Sequence, residues 1–237
     1  MPEHSLTTLL YQHLTMQQDT ARFSQAGALH VTDLWDACMR QIYYSQESGI
    51  PVSRPVDLAT RMHFEMGKAI EDQVRGWLAD MNILHEIKPI LRADALGLVA
   101  SPDGRMKNGQ LLEIKGQHPH LWKFAQARPA AKHWFQVAAY LWMDHATQDG
   151  ILFSATWDGP RVPFHEHHIP ADPRVGETIT QAVSVLRNAQ DGGKLPGRAC
   201  TSETESRALL CPFRAACFRG KNGAVLPTIA AQLTKKA

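Results

Sequence analysis

The chain has 237 residues, 44% hydrophobic and 20% charged, which suits a folded protein with a full core. No apolar run is long enough to span a bilayer, and Met1 to Gln18 is too polar for a secretory signal, so a cytoplasmic location without membrane partners is expected. The 25 basic and 23 acidic residues give a formal +2; that balance does not announce nucleic-acid binding, but a site that gathers carboxylates lowers net charge where DNA would sit.

In chain order, Leu6 to Gln18 fits a short helix. Asp33 offers an N-cap for a helix over Leu34 to Ser45, with Leu34, Cys38 and Ile42 on one face. Gly49 to Val56 carries Pro51 and Pro55 and reads as a loop. A long helix follows from Leu58 to Met81, with Met62, Met66, Ile70, Val74 and Leu78 at helical spacing. The period then changes. Ile83 to Leu91, Leu96 to Ala100 and Gln110 to Ile114 read as strands, with Asn108-Gly109 as a hairpin turn. Pro129 opens a helix to about Asp144. Gly150 to Trp157 and Val162 to Ile169 are two more strands, joined by Asp158-Gly159-Pro160. Pro173 to Asp191 is helical and stopped by Gly192-Gly193. Beyond Leu195 the chain is loop-rich and holds three of its four cysteines. This order predicts an α/β fold with a mixed sheet flanked by helices.

The chemistry concentrates between Gly97 and Tyr140. Glu113 and Lys115 are two apart on a strand, so both leave one face while Ile114 enters the core. Asp103 follows the preceding strand, and a hairpin brings it alongside Glu113. Two convergent carboxylates supply hard oxygen ligands for Mg²⁺ or Mn²⁺, which lowers the pKa of a bound water. Lys115 is then placed to orient that water or stabilise the transition state. A second acid-x-lysine, Glu86-Ile87-Lys88, lacks the preceding Gly…Asp segment and reads as a solvated strand face. Glu71, after Gly67 on the long helix, is a candidate further ligand, and Gly67 allows another backbone to come close. Gln136 and Tyr140 are four apart and share a helix face that meets the site.

The ordered set Glu71, Asp103, Glu113, Lys115, Gln136 and Tyr140 resembles the PD-(D/E)xK nuclease superfamily, in particular its RecB-like branch. Pro102-Asp103 supplies the proline-aspartate, and many relatives carry histidine where this chain has Glu71. The resemblance covers about residues 60 to 142. It implies a restriction-endonuclease-like core with catalytic Glu71, Asp103, Glu113 and Lys115. Glu71, Asp103 and Glu113 would hold Mg²⁺ or Mn²⁺, and Gln136 and Tyr140 would contact DNA. The implied activity is a DNA exonuclease on single strands or ends, in recombination, repair or phage replication, with a partner protein from such a pathway. A structure-specific endonuclease or nickase on the same core, and a nuclease-like DNA-binding subunit, are the alternatives.

Cys38 stands near the start, and Cys200, Cys211 and Cys217 near the end. Thiols gathered this way suit a metal site more than disulfides, and four suit a 4Fe–4S cluster or zinc. The ending Cys211-Pro-Phe-Arg-Ala-Ala-Cys217 and the segment around Cys38 resemble iron–sulfur nucleases of the AddB and CRISPR-adaptation types. That implies a structural 4Fe–4S cluster clamping both chain ends, with zinc as the alternative. Relatives usually leave two residues between the second and third cysteines; here Thr201 to Leu210 must loop out.

His118, His120 and Lys123 either touch DNA near the cleft or belong to a solvated loop. His165 and His167 read as surface histidines on an edge strand. Among Trp122, Phe124, Trp134 and Phe135 most belong in the core, with one free to stack a DNA base. The expected organisation is a helical segment over 1–57, the nuclease core over 58–194, the cysteine segment over 195–220 and a mobile tail over 221–237 ending in Lys235-Lys236.

Overall fold

A computed structural model of the chain describes residues 29–36, 38–46, 58–157, 163–219 and 228–234. The expected helix over Leu6 to Gln18, the loop over Gly49 to Val56, the turn at Asp158 and the tail at Lys235-Lys236 lie outside the described residues.

Two sheets form the frame. Strands β2 (Leu84–Ile87), β5 (Gly104–Met106), β6 (Leu111–Gly116), β7 (Asp149–Ala155) and β8 (Phe164–Pro170) make a five-stranded sheet in the order β2-β5-β6-β7-β8. It is mixed: β6 and β7 run parallel, and the other pairs are antiparallel. A smaller sheet joins β1 (Leu29–His30), β4 (Leu98–Ala100) and β3 (Leu91–Ala93). Helices flank the larger sheet, as the alternation of elements predicts.

The first helix begins later than expected. Val31–Leu34 is a 3-10 turn capped by His30, and α1 spans Met39–Gln46. Cys38 caps it: its carbonyl accepts from Ile42 N–H at 3.1 Å, and its Sγ accepts from Gln41 N–H at 3.3 Å. These are the two bonds an N-cap residue makes, so a thiol does what Asp33 was expected to do.

The long helix α2 spans Leu58–Asp80. It stops where Asn82 turns left-handed at φ 58°, and the amides of Asn82 and Ile83 return to the carbonyls of Ala79 and Leu78. Among the described residues its apolar packing lies in the second half. Val74 is buried and Ile70 and Leu78 pack beside it against Leu112 and Ile114 of β6, whereas Met62 and Met66 are exposed. The expected apolar face is real, but the sheet beneath it ends at Gly116.

The single strand expected over Ile83 to Leu91 is two. Lys88 takes φ 49° ahead of Pro89, and β3 leaves for the smaller sheet. The Asn108-Gly109 hairpin is present, with Gly109 at φ 91°, but its first arm is β5, a strand the sequence did not suggest. Asp103 therefore lies just before the hairpin strand.

The crossover from β6 to β7 carries α3 (Trp122–Ala127) and α4 (Ala131–Asp144). The apolar face of α4 joins Leu111 and Leu152 in the main core with Phe135, Val137 and Leu141; each such burial contributes roughly 1.5–3 kcal/mol. Helix α5 (Pro173–Gly192) is capped by Asp172 and ends at left-handed Gly193, as its boundary residues predict. The loop-rich end holds α6 (Ser206–Leu210), α7 (Arg214–Phe218) and α8 (Ile229–Thr234). No helix among the described residues is long and apolar enough to cross a membrane.

Candidate active site

Strand β6 sets the site because it is buried and its faces alternate. Leu112 and Ile114 turn toward α2 while Leu111 joins the core under α4, which leaves Glu113 on the α4 side. Glu113 is 2% exposed. Its Oε1 accepts from Lys115 Nζ and, at 2.5 Å, from Gln136 Nε2. Its Oε2 is buried and has no hydrogen-bond partner among the described residues. Such an orphan is costly, and burial pushes the Glu113 pKa up to about 8 against the opposing pull of Lys115.

Lys115 closes the strand. Burial works against its ammonium, but Glu113 and Glu71 outweigh burial and hold its pKa above the ordinary lysine value. Glu71 Oε1 stands 3.8 Å from Lys115 Nζ, and burial raises the Glu71 pKa. Asp103 is 8% exposed. Its Oδ2 accepts from Ile114 N–H at 2.8 Å and its Oδ1 from Arg75 Nη2 at 2.6 Å. Arg75 also reaches Asp72 Oδ1 at 2.6 Å.

Glu113 feels both of its carboxylate neighbours, since Asp103 and Glu71 raise its pKa. Two internal cations, Lys115 and Arg75, hold them together. As placed, no group of three or more His, Cys, Asp or Glu side chains among the described residues is arranged to hold a metal ion. Both Asp103 oxygens and Glu113 Oε1 accept hydrogen bonds, and each Asp103 oxygen keeps a second lone pair.

A cleft of about 1060 Å³ opens over this cluster, and Glu71, Lys115 and Gln136 line it. Tyr140 does not reach it: the ring is 1% exposed and its hydroxyl accepts from Gln136 Nε2 at 2.6 Å, so it steadies the glutamine from below. Burial and then the Glu113 charge raise Tyr140 well above the usual phenol value. His118 is half-buried just past Gly116, and Lys123 is exposed on α3 outside the lining of the cleft. His165 and His167 lie on edge strand β8, and His167 Nε2 bonds Ala125 O at 2.6 Å. Trp122 and Phe135 are core, while Phe124 is 72% exposed.

Gly116 is the tight point of the site. A Cβ there would lie 3.0 Å from Gly67 Cα and 3.1 Å from Gly67 O. The close approach expected of Gly67 is therefore required at Gly116; a Cβ on Gly67 would meet nothing within 4 Å.

Two residues of this site went unnoticed in the sequence. Arg75 follows Glu71 by four and Asp72 by three, a helical spacing that could have marked it. His133 precedes Gln136 by three, lines the cleft, and has its pKa pushed down to about 4 by burial and then by Lys115.

The four cysteines converge from both chain ends. All line one small cavity between α1 and the α6–α7 segment. Cys38, Cys200 and Cys217 are buried and Cys211 is half-buried. Burial raises Cys200, and raises Cys211 to about 11. The insert between Cys200 and Cys211 is ordered: Glu205 accepts from Thr201 N–H at 2.8 Å and Ser202 N–H at 3.1 Å, and α6 follows.

An alkaline exonuclease from Laribacter hongkongensis (LHK-Exo) aligns with a TM-score of 0.54 at 17% identity, over 73% of this chain and 94% of the exonuclease. The fold is shared with an exonuclease. The complex of LHK-Exo with dAMP aligns at 0.52 and 16% identity, over 72% and 91% of the two chains. A phage-related exonuclease from Haemophilus somnus 129PT aligns more loosely, with a TM-score of 0.41 at 13% identity over 70% and 94%. No protein-family model matches the chain, and no curated protein matches it in sequence.

Proposed function

We propose that the protein is a Mg²⁺- or Mn²⁺-dependent DNA exonuclease, with Glu71, Asp103 and Glu113 as metal ligands and Lys115 as the catalytic cation. The observation that carries this is the buried Oε2 of Glu113, which has no hydrogen-bond partner among the described residues, just beneath Lys115, Glu71 and Gln136 in the lining of an open cleft. A carboxylate oxygen with no donor, on a Glu113 whose pKa Asp103 and Glu71 both raise, suits a divalent cation. The metal would supply an acidified water and draw charge from a phosphoryl oxygen.

The residues of the chain do the rest. Gln136 and Lys115 fix the Glu113 carboxylate through Oε1, which leaves Oε2 for the ion. Ile114 N–H and Arg75 fix Asp103. Lys115, at the cleft surface, is placed to hold the attacking water or meet charge on the phosphoryl group. A role in recombination, repair or phage replication, with a partner protein, rests on the sequence resemblance alone.

We also propose that Cys38, Cys200, Cys211 and Cys217 bind a structural metal centre. The donor set fits in kind and number. The resemblance favours a 4Fe–4S cluster. A single zinc is the alternative, since four thiolates also suit one tetrahedral ion. Anaerobic purification decides between them: dithionite-sensitive visible absorbance means iron–sulfur, and a colourless protein with stoichiometric zinc means the other.

The activity is tested with end-labelled linear and with circular single-stranded DNA, in Mn²⁺ or EDTA, beside Lys115→Ala. Degradation that needs metal, an end and Lys115 is expected. Cutting by Lys115→Ala at the wild-type rate would sink the site, and cutting of circles would make the enzyme an endonuclease.

A further inference from the structure

A second group of side chains starts from the lining of the same cleft and runs beyond it. His63 lines the cleft on α2, four residues before Gly67 and eight before Glu71, so the three share a helix face. His118 leaves β6 just beyond Gly116. Its ring meets His63 edge-on at 5.9 Å, stacks on His120 at 4.9 Å and meets Trp157, at the end of β7, edge-on at 5.5 Å. Trp157 is 45% exposed, and His63 and His120 are exposed. Rings from three separate elements thus form one continuous aromatic ledge.

Neither a core nor a metal role accounts for it. The exposure excludes a core. No three of these donors are arranged around an ion, and His118 Nδ1 already accepts from His120 N–H at 3.3 Å. Two further features give the ledge an occupant. It joins the carboxylate cleft through His63, about 12 Å along α2 from Glu71 at 1.5 Å per residue. Lys68 and Lys132 also line that cleft, with charge complementary to a phosphate backbone.

We propose that His63, His118, His120 and Trp157 bind the unpaired bases of a single-stranded DNA segment next to the scissile phosphate. The proposal rests on the nuclease function proposed for the cleft and names its substrate class. Bases stack on the ledge while backbone phosphates face the lysines. In a duplex the faces of the bases are covered by their neighbours, so the ledge selects an unpaired strand, and stacking leaves it tolerant of sequence.

The test is equilibrium binding in EDTA of fluorescein-labelled oligothymidylate and of an abasic strand of equal length. Wild type, Trp157→Ala, His63→Ala/His118→Ala and Trp157→Phe are compared. Wild type is expected to favour oligothymidylate by roughly tenfold, within the range of one base–aromatic stack. Trp157→Ala and the double variant lose the preference, and Trp157→Phe keeps it. Equal binding of both strands by wild type, or a full preference in both alanine variants, overturns the proposal. Binding in EDTA is independent of cleavage. Retained preference without metal-dependent cutting would remove the nuclease function and leave the ledge. Cutting lost in Lys115→Ala without any base preference would remove the ledge alone.

Discussion

Arg75 donates to Asp103 across 2.6 Å with both side chains almost out of solvent, 9% and 12% exposed. A candidate metal ligand is thus held by an arginine from the neighbouring helix. Removing one member of a buried ion pair strands the other. Arg75→Met is therefore expected to cost the metal-free protein about 3 kcal/mol in urea denaturation. Saturating Mn²⁺ should narrow that gap, because a bound cation serves Asp103 as the guanidinium does.

Glu113 carries a pH signature. Its pKa in the fold is about 8 against a model-peptide value of 4.5, so between those limits the folded chain holds a proton that the unfolded chain releases. The associated stability is fully present below about pH 4.5 and is lost as pH rises through about 8. Melting of the metal-free protein should shift downward from pH 5 to pH 8.5, and Glu113→Gln should flatten that slope. Metal-dependent cleavage should rise over the same interval, since an ionised Glu113 is the better ligand.

Gly116 and Gly67 should respond in opposite senses to alanine. A Cβ at Gly116 meets helix backbone at 3.0 Å, which cannot rotate away as a side chain can. Gly116→Ala is expected to cost about 1–3 kcal/mol through overpacking and to cut cleavage more than tenfold by lifting Glu71 from Lys115. Gly67→Ala meets no atom within 4 Å and should raise thermal stability through about 1 kcal/mol of helix propensity. Thermal melts of both variants, with a cleavage assay of Gly116→Ala, check the pair.

Much of the site was legible in the sequence because it depends on short periods. A strand's alternation places Glu113 and Lys115 together, a helical turn places Gln136 over Tyr140, and a hairpin draws Asp103 in. Boundary residues likewise marked α5 well. What escaped depends on distant partners. Periodicity cannot tell how far a sheet extends under a helix, so Met62 and Met66 read as core. Arg75 looks like any surface arginine until Asp103 arrives from 28 residues away. The aromatic ledge needs three elements at once. Cys38 was placed inside a helix because propensity rules do not count a thiol as a cap.

The meeting of the two chain ends imposes an order on biosynthesis. Arg40 on α1 is 1% exposed and donates to Pro196 O at 2.8 Å, 156 positions away, and Tyr44 packs against Phe213. At translation rates of about 5–20 residues per second, α1 waits roughly 10–30 s for these partners to emerge. During that interval Cys38 is a lone thiol on a nascent chain, and the four cysteines cannot meet until the five-stranded sheet has already been synthesised.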